Sequence, residues 1–222
     1  MPVKTMKKYT YSKTKSKSKA SKKYSNHKYI LSRTVRSHHK FFDVRLGTTY
    51  AGSVGNLIYR ANGMYDPYAY NGGLQPRGFD QMAALYDHFV VIGSKISVTL
   101  TCQPENIVEG LIVGIALVDN SSASTSTTDY MERPGQVSWR YVNPQNPQVT
   151  VTLACNPNKF LNRNVKDDEV KGSAAGDPTE QCYFHVFVSN FNGSSTQTDR
   201  FKLSTLVEYE AVWFEPKNPS QS

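Results

Sequence analysis

The chain has 222 residues, with 26 Lys and Arg against 18 Asp and Glu, which gives it a formal net charge of +8 at pH 7. It contains no apolar run of about 18 residues, so we expect no membrane-spanning helix. The charged N-terminus is not followed by the apolar stretch of a signal peptide, and the length suits one all-β domain with its own core.

The first 42 residues carry thirteen of the 26 basic side chains and no acidic one. Residues 43–222 therefore hold the other thirteen basic residues and all 18 acidic ones, a formal charge of −5. Like charges repel one another, and little apolar area is present to offset the entropy cost of ordering, so we predict that residues 1–42 form a disordered arm. The predicted nucleic-acid contacts in this arm are Lys4, Lys7, Lys8, Lys13, Lys15, Lys17, Lys19, Lys22, Lys23, Lys28, Arg33, Arg36 and Lys40.

A flexible lysine-rich arm is typical of proteins that bind a polyanion. Lysines release counterions from phosphates without reading base edges, so binding of this kind is independent of sequence and steeply dependent on salt. Tyr9, Tyr11, Tyr24 and Tyr29 lie between the charges, where their rings would stack on unpaired bases. A solubilising tail or a nuclear-localisation signal is the alternative interpretation, because short runs of Lys and Arg serve these purposes too.

From about Phe41 onward, short apolar runs alternate with segments rich in Gly, Pro, Asn and Ser, which is typical of strands and turns. A helix is predicted at Phe79–His88, with Asp80 as its N-cap. Further strands are predicted to end near 57–59 and to span 89–102, 108–118, 136–142, 148–154, 181–190 and 201–214. The even-numbered residues of 89–102 form its apolar face, and 108–118 is apolar enough to be buried on both faces.

The segments between the strands are long. Residues 62–78 are rich in Gly, Tyr and Pro, and a loop of this length inside a compact domain is usually functional. The polar segment 119–128 is a candidate outer loop that touches a host receptor, 156–161 is a candidate helical turn, and 162–179 is a further polar loop.

About eight strands with little helix between them exclude parallel βαβ units and predict a β-sandwich. The long final strand, the long loops and the aromatic interior favour an all-β, eight-stranded jelly roll. An immunoglobulin-like sandwich stays open as the alternative.

The sequence contains no catalytic signature, so we expect no enzyme. No G-x-S-x-G is present, and His27, His38 and His39 fall within the arm. His88 and His185 are single residues in or beside apolar segments, where a histidine more often has a structural role than a ligand role. Cupin-type metal sites in jelly rolls need two His-rich motifs, and the chain has none.

Cysteine usage and the acidic loop give no strong metal signal either. Cys102, Cys155 and Cys182 are widely spaced and include no C-x-x-C pair, which predicts buried thiols in a reducing compartment. The acidic run at 167–169 would suit Ca²⁺ if several copies met at a symmetry axis, but a solvated acidic loop is the simpler interpretation. We therefore predict no metal and no cofactor.

Two stretches carry a resemblance to a known family. Leu74–Leu100, LQPRGFDQMAALYDHFVVIGSKISVTL, resembles a segment of the capsid proteins of small circular, Rep-encoding single-stranded DNA viruses, the circovirus-like viruses, in which a P-x-G-F-D-Q turn enters a short helix and then a V-x-G-S-K-I strand. Leu206–Pro216, LVEYEAVWFEP, is similar to their last strand, and both are similar to satellite plant virus coat proteins. The arm here is rich in Lys, whereas many such arms are rich in Arg, and this weakens bidentate phosphate contacts.

The resemblance implies a capsid protein whose jelly-roll domain, residues 43–222, assembles in 60 copies around a single-stranded DNA genome, with the arm facing inward. It also implies a location in the virion, and in the host nucleus during assembly, without membrane insertion; the host-cell receptor is unknown. Because aromatic residues are enriched at interface centres, we expect Tyr65, Tyr68 and Tyr70 at subunit interfaces. The alternative is that these three rings pack over the core of their own subunit.

Two other classes of protein stay open. One is a cellular nucleic-acid-binding protein, ribosomal or chromatin-associated, with a basic tail on a β domain. Its folded part would need a nucleic-acid-reading surface, yet that part is acidic overall and has no RNP-like aromatic motif. The other is a carbohydrate-binding or enzymatic jelly roll with an incidental tail.

Overall fold

The computed structural model describes residues 31–48, 54–70, 74–103, 110–133, 135–190 and 200–218. The predicted arm contacts from Lys4 to Lys28 lie outside these residues. The strands are β1 (Thr34–Thr48), β2 (Gly55–Arg60), β3 (Tyr86–Cys102), β4 (Leu111–Val118), β5 (Val137–Val142), β6 (Gln148–Cys155), the two-residue β7 (Gly172–Ser173), β8 (Tyr183–Asn190) and β9 (Arg200–Pro216). Short helices lie at α1 (Phe79–Leu85), α2 (Thr127–Met131) and α3 (Pro157–Phe160), with a 3₁₀ turn at Asp168–Val170.

These strands form two antiparallel sheets with the orders β1-β9-β3-β6 and β2-β8-β4-β5, and β7 adds to β3. Apart from β7, the pairing is nested: the first strand pairs with the last, the second with the next to last, and so on inward to the β4–β5 hairpin. Eight strands paired in this nested order across two facing sheets form a jelly roll. The predicted jelly-roll sandwich is confirmed, and the immunoglobulin-like alternative is wrong.

The first strand begins earlier than predicted. β1 pairs with β9 along its whole length, from Thr34 opposite Phe214 to Thr48 opposite Arg200. The arm boundary at residue 42 is therefore wrong, because residues 34–42 belong to the sheet. The basic residues of this stretch alternate with inward-facing ones, including the buried His39. This alternation is typical of a strand, but a count of charges does not reveal it.

The boundary between α1 and β3 also differs from the prediction. The helix ends at Leu85 instead of His88, and its N-cap is Gly78 at φ 83°, not Asp80. A β-bulge between Val91 and Gly93 shifts the register of β3 against β9. Phe89 and Val91 face the core before the bulge and the even-numbered residues face it afterwards, so the predicted even-numbered face holds only beyond this point.

The core between the sheets is densely aromatic. Trp213 of β9 is fully buried, with its ring centroid 5.5 Å from Phe79 and 5.3 Å from Phe89. β4 is buried along its whole length because one face lines this core and the other packs against Tyr130 of α2. The predictions for β4, β5, β6, α3, β8 and the inward face of β9 are confirmed.

Two buried histidines are held by hydrogen bonds on both ring nitrogens. His39, which the sequence placed in the arm, lies 2.8 Å from Ser37 Oγ through Nε2 and 3.2 Å from the Arg77 carbonyl through Nδ1. His185 Nε2 lies 2.8 Å from the Asn120 carbonyl, and its Nδ1 is 3.1 Å from Tyr130 Oη. Burial disfavours the charged imidazole and lowers the pKa of both side chains.

Lowering the pH below about 6.5 is expected to destabilise the fold through these two histidines. Because their folded-state pKa values lie below the unfolded value, the unfolded chain binds more protons in this range. The stabilising contribution is complete above the unfolded pKa and is lost as the pH falls through the folded pKa, by up to about 1.4 kcal/mol per pH unit for each histidine. Thermal unfolding between about pH 7.5 and pH 5 should show a shallower decline for His185→Gln than for the wild type. Equal slopes for the wild type, His185→Gln and His39→Gln would contradict this.

Candidate nucleic-acid and subunit-contact surfaces

The N-terminal half of β1 places basic side chains on the outer face of its sheet. Arg36 forms an ion pair with Glu210, and Lys40 Nζ lies 2.8 Å from Glu208 Oε1. The hydrogen bond from Lys40 holds the pKa of Glu208 below its usual value. Lys40, Glu208, Glu210 and Lys95 border a shallow cleft of about 460 Å³. Arg36 and Lys40 are thus strand residues paired with carboxylates, and their contact with nucleic acid stays a prediction.

The remaining predicted arm contacts precede the sheet. Arg33 lies exposed immediately before β1, and the ten lysines from Lys4 to Lys28 fall outside the described residues. Residues 1–33 contain eleven basic side chains and no acidic one. Most of the charge assigned to the arm therefore belongs to this shorter segment.

The tyrosine-rich segment 61–70 doubles back along β2. The backbone N–H of Arg60 donates to the Pro67 carbonyl at 2.8 Å, and that of Ala69 donates to the Ile58 carbonyl at 2.9 Å. The carboxylate of Asp177 accepts the backbone N–H groups of Tyr65 and Asp66 at 2.9 and 3.1 Å, and it lies 3.4 Å from Arg60 Nε. Desolvation nevertheless raises the pKa of Asp177. The loop is thereby fixed to its own subunit.

The three tyrosines predicted at subunit interfaces differ in their surroundings. The ring of Tyr65 meets Phe79 at 6.3 Å, and the ring of Tyr68 meets Tyr59 at 5.4 Å. Tyr65 and Tyr68 therefore pack on their own subunit, as the alternative interpretation expected. Tyr70 contacts Tyr68 but is 52% exposed, so it is the best placed of the three to meet another molecule. The interface role of all three stays a prediction.

A row of exposed apolar side chains lies on the C-terminal half of β1. Phe42 is 63% exposed, Val44 42% and Leu46 84%, all on the outer face of the sheet. Exposed apolar groups of this size in a continuous row mark contact surfaces more often than isolated ones do. This row was not predicted from the sequence. The signal is present in the alternation at 42, 44 and 46, but the sequence does not indicate that β1 lies at a sheet edge.

The acidic loop pairs with neighbouring groups of its own chain. Asp167 accepts the backbone N–H of Asn164 at 2.8 Å, Asp168 lies 2.6 Å from Lys171 Nζ, and Glu169 lies 3.5 Å from Arg163 Nη1. Within the described ranges, no three His, Cys, Asp or Glu side chains cluster closely enough to hold a metal ion. Cys102, Cys155 and Cys182 are buried thiols, as predicted. No helix in the described part of the chain has the length and apolar character needed to cross a membrane.

The nested pairing and the two facing sheets define the class of this protein, a jelly-roll β-sandwich. No family model and no curated protein sequence matches the chain. The solved structure of tobacco necrosis virus is similar, with a TM-score of 0.50 and 13% identity over 84% of this chain and 98% of that chain. The structure of Cocksfoot mottle virus has a TM-score of 0.49 and 12% identity over 80% of this chain and 94% of that chain. The decameric BFDV capsid protein has a TM-score of 0.48 and 12% identity over 82% of this chain and 100% of that chain. At 13% identity, the likeness to the tobacco necrosis virus structure establishes the fold alone.

Proposed function

We propose that this chain is the structural capsid protein of a small single-stranded DNA virus of the circovirus-like kind. Copies of the jelly-roll domain form a small icosahedral shell of 60 subunits, and the basic N-terminal segment packages the genome. One combination carries the proposal: a jelly-roll sandwich preceded by a segment with eleven positive charges and no negative one. The fold likeness to a virus structure supports it, and the choice of DNA rests on the resemblance of Leu74–Leu100.

The distribution of charge gives the two parts of the chain different roles. Residues 34–222 retain fifteen basic and 18 acidic side chains, a formal charge of −3, so the folded body repels nucleic acid weakly. Sixty arms of eleven charges would neutralise roughly 660 phosphates if each charge met one. Repulsion between the arms falls when phosphates surround them, so assembly and packaging are coupled. The particle forms in the host nucleus and the chain then resides in the virion, in a structural and not a catalytic role.

Negative-stain microscopy of the purified chain, combined with its 260/280 absorbance ratio after nuclease treatment, tests this proposal. We expect uniform small spheres that contain nuclease-protected nucleic acid. Digestion of the extracted nucleic acid with DNase and with RNase then distinguishes a DNA cargo from an RNA cargo. A monodisperse monomer that binds nucleic acid but never assembles would overturn the capsid function and favour a cellular nucleic-acid-binding protein.

A further inference from the structure

β1 is an open edge of its sheet. β9 pairs with one side of it along fifteen residues, and none of the described strands pairs with the other side. A long edge strand with unpaired backbone groups is a template for a strand of another chain, and proteins usually block such edges with charge, proline or a covering element. The C-terminal half of β1 instead presents the exposed row of Phe42, Val44 and Leu46. This half of the strand is therefore suited to pairing.

The sequence of this half is nearly symmetric about Val44. It reads Phe42, Asp43, Val44, Arg45, Leu46, with apolar residues at equal distances from the centre and opposite charges on either side of it. Consider a second copy of the strand, antiparallel to the first, with Val44 opposite Val44. Phe42 then lies opposite Leu46 on the outer face, and Asp43 lies opposite Arg45 on the inner face. Apolar and opposite-charge cross-strand pairs both stabilise a sheet.

Neighbouring registers lack this complementarity. A shift of one residue places outward side chains opposite inward ones, which mismatches the two faces. Centring the pair on Asp43 places two carboxylates opposite each other, and centring it on Arg45 does the same for two guanidinium groups. Like charges directly opposite one another are destabilising. The match between the faces of the two strands and the pairing of opposite charges therefore both favour the register centred on Val44.

The two charged side chains are already held at this edge. Arg45 Nε donates to Asp43 Oδ2 at 2.8 Å, and the Tyr59 hydroxyl donates to the same oxygen at 3.0 Å. The guanidinium carbon of Arg45 lies 4.4 Å from the centroid of the Tyr68 ring. Both side chains are thus already ordered within the subunit, so pairing with a second copy costs little further side-chain entropy.

We propose that β1 of one subunit pairs antiparallel with β1 of a second copy, about a two-fold axis at Val44, so that the two sheets become one continuous sheet. The contact is isologous, because each strand supplies the same residues to the other. Main-chain hydrogen bonds provide the attraction, as in other strand-addition complexes, and the side-chain pairs fix the register. The partner is a second copy and not nucleic acid, because Phe42 alone of the row offers a π face on which bases could stack, and the row carries no cation to contact phosphates. The inference deepens the proposed capsid function by assigning one of its subunit contacts.

Cysteine cross-linking of the full chain tests the register. Residues directly opposite in an antiparallel pair have Cβ atoms about 4.5–5.5 Å apart, close to the range that a disulfide spans. Val44→Cys is therefore expected to give a covalent dimer on mild oxidation with copper phenanthroline. Phe42→Cys alone and Leu46→Cys alone are the matched controls, because each lies roughly 14 Å from its own copy in this register. A mixture of these two variants should cross-link, since Phe42 faces Leu46. The three native cysteines are buried, and any cross-linking through them is measured on the wild type as the background.

The outcomes separate this inference from the capsid function. Particles of Val44→Cys that stay monomeric on non-reducing gels, under oxidant and under a short bismaleimide, would overturn the β1 pairing while the capsid function stands. If Phe42→Cys forms a covalent dimer as efficiently as Val44→Cys, the register centred on Val44 is overturned. A Val44→Cys dimer in a preparation that never forms particles would support the pairing while the capsid function fails.

Discussion

Removal of residues 1–33 is expected to abolish packaging while leaving a folded subunit. The deletion removes eleven positive charges and no negative one, and it ends immediately before β1. For single strands, the slope of log K against log salt is about −0.7 for each phosphate contact, so eleven contacts give a slope of roughly −8. The truncated chain should lose most of this slope and several orders of magnitude of affinity for single-stranded DNA at low salt. Fluorescence anisotropy across a salt series measures both quantities.

Two further variants control this experiment. A full-length chain with the eleven basic residues replaced by Gln keeps the length of the segment and should behave like the truncation, because charge and not length carries the binding. A chain lacking residues 1–42 should fail to fold, because it loses nine residues of β1, among them the buried Phe41. An unchanged salt slope after the 1–33 deletion would show that the nucleic-acid surface lies on the jelly-roll domain.

Replacement of Trp213 by Ala is expected to cost about 3–5 kcal/mol of the free energy of unfolding, because the cavity left in a packed core adds to the lost apolar burial. The ring is fully buried between Phe79 and Phe89. Its Nε1–H donates to Ser37 Oγ at 2.9 Å and so ties β9 to β1. The substitution therefore removes core packing and a link between the two strands at once. Urea unfolding followed by far-ultraviolet circular dichroism measures the loss.

The second tryptophan provides the matched control. Trp139 on β5 is 44% exposed, so Trp139→Ala should change the free energy of unfolding by less than about 1 kcal/mol. Trp213→Phe keeps an aromatic ring at the core position and should fall between the two alanine variants. If Trp213→Ala and Trp139→Ala lower the free energy of unfolding equally, the aromatic cluster around Trp213 is not the main source of core stability.

The strands that could be predicted are those whose sequence pattern has one physical cause. β9 alternates because one face meets the core and the other meets solvent, and β4 is continuously apolar because both of its faces are covered. The composition places the first nine residues of β1 in the arm because Arg36 and Lys40 are cations, although these two meet Glu210 and Glu208 on a strand about 170 residues later in the chain. A charge count along the sequence does not reveal partners that are brought together only by folding.

The candidate surfaces could be predicted only in part. The clustering of basic residues before β1 follows directly from the composition, and so does the tyrosine content of the loop. The attachment of that loop to its own subunit depends on Asp177, which lies more than a hundred residues away and has no motif around it. The apolar row on β1 has meaning only once the strand is known to lie at the edge of a sheet.

The pairing of β1 with β9 also determines when the sheet can form during translation. β1 ends at Thr48 and its partner β9 begins at Arg200, so the ribosome adds about 150 residues between them. At about 5–20 residues per second, β1 waits roughly 8–30 s for its partner, and its sheet cannot be completed until β9 has been synthesised. The basic segment 1–33 emerges before β1 and can meet a polyanion throughout this interval. Nascent chains on polysomes can therefore acquire nucleic acid before any subunit has folded, and the cell must keep the row at 42, 44 and 46 from aggregating meanwhile.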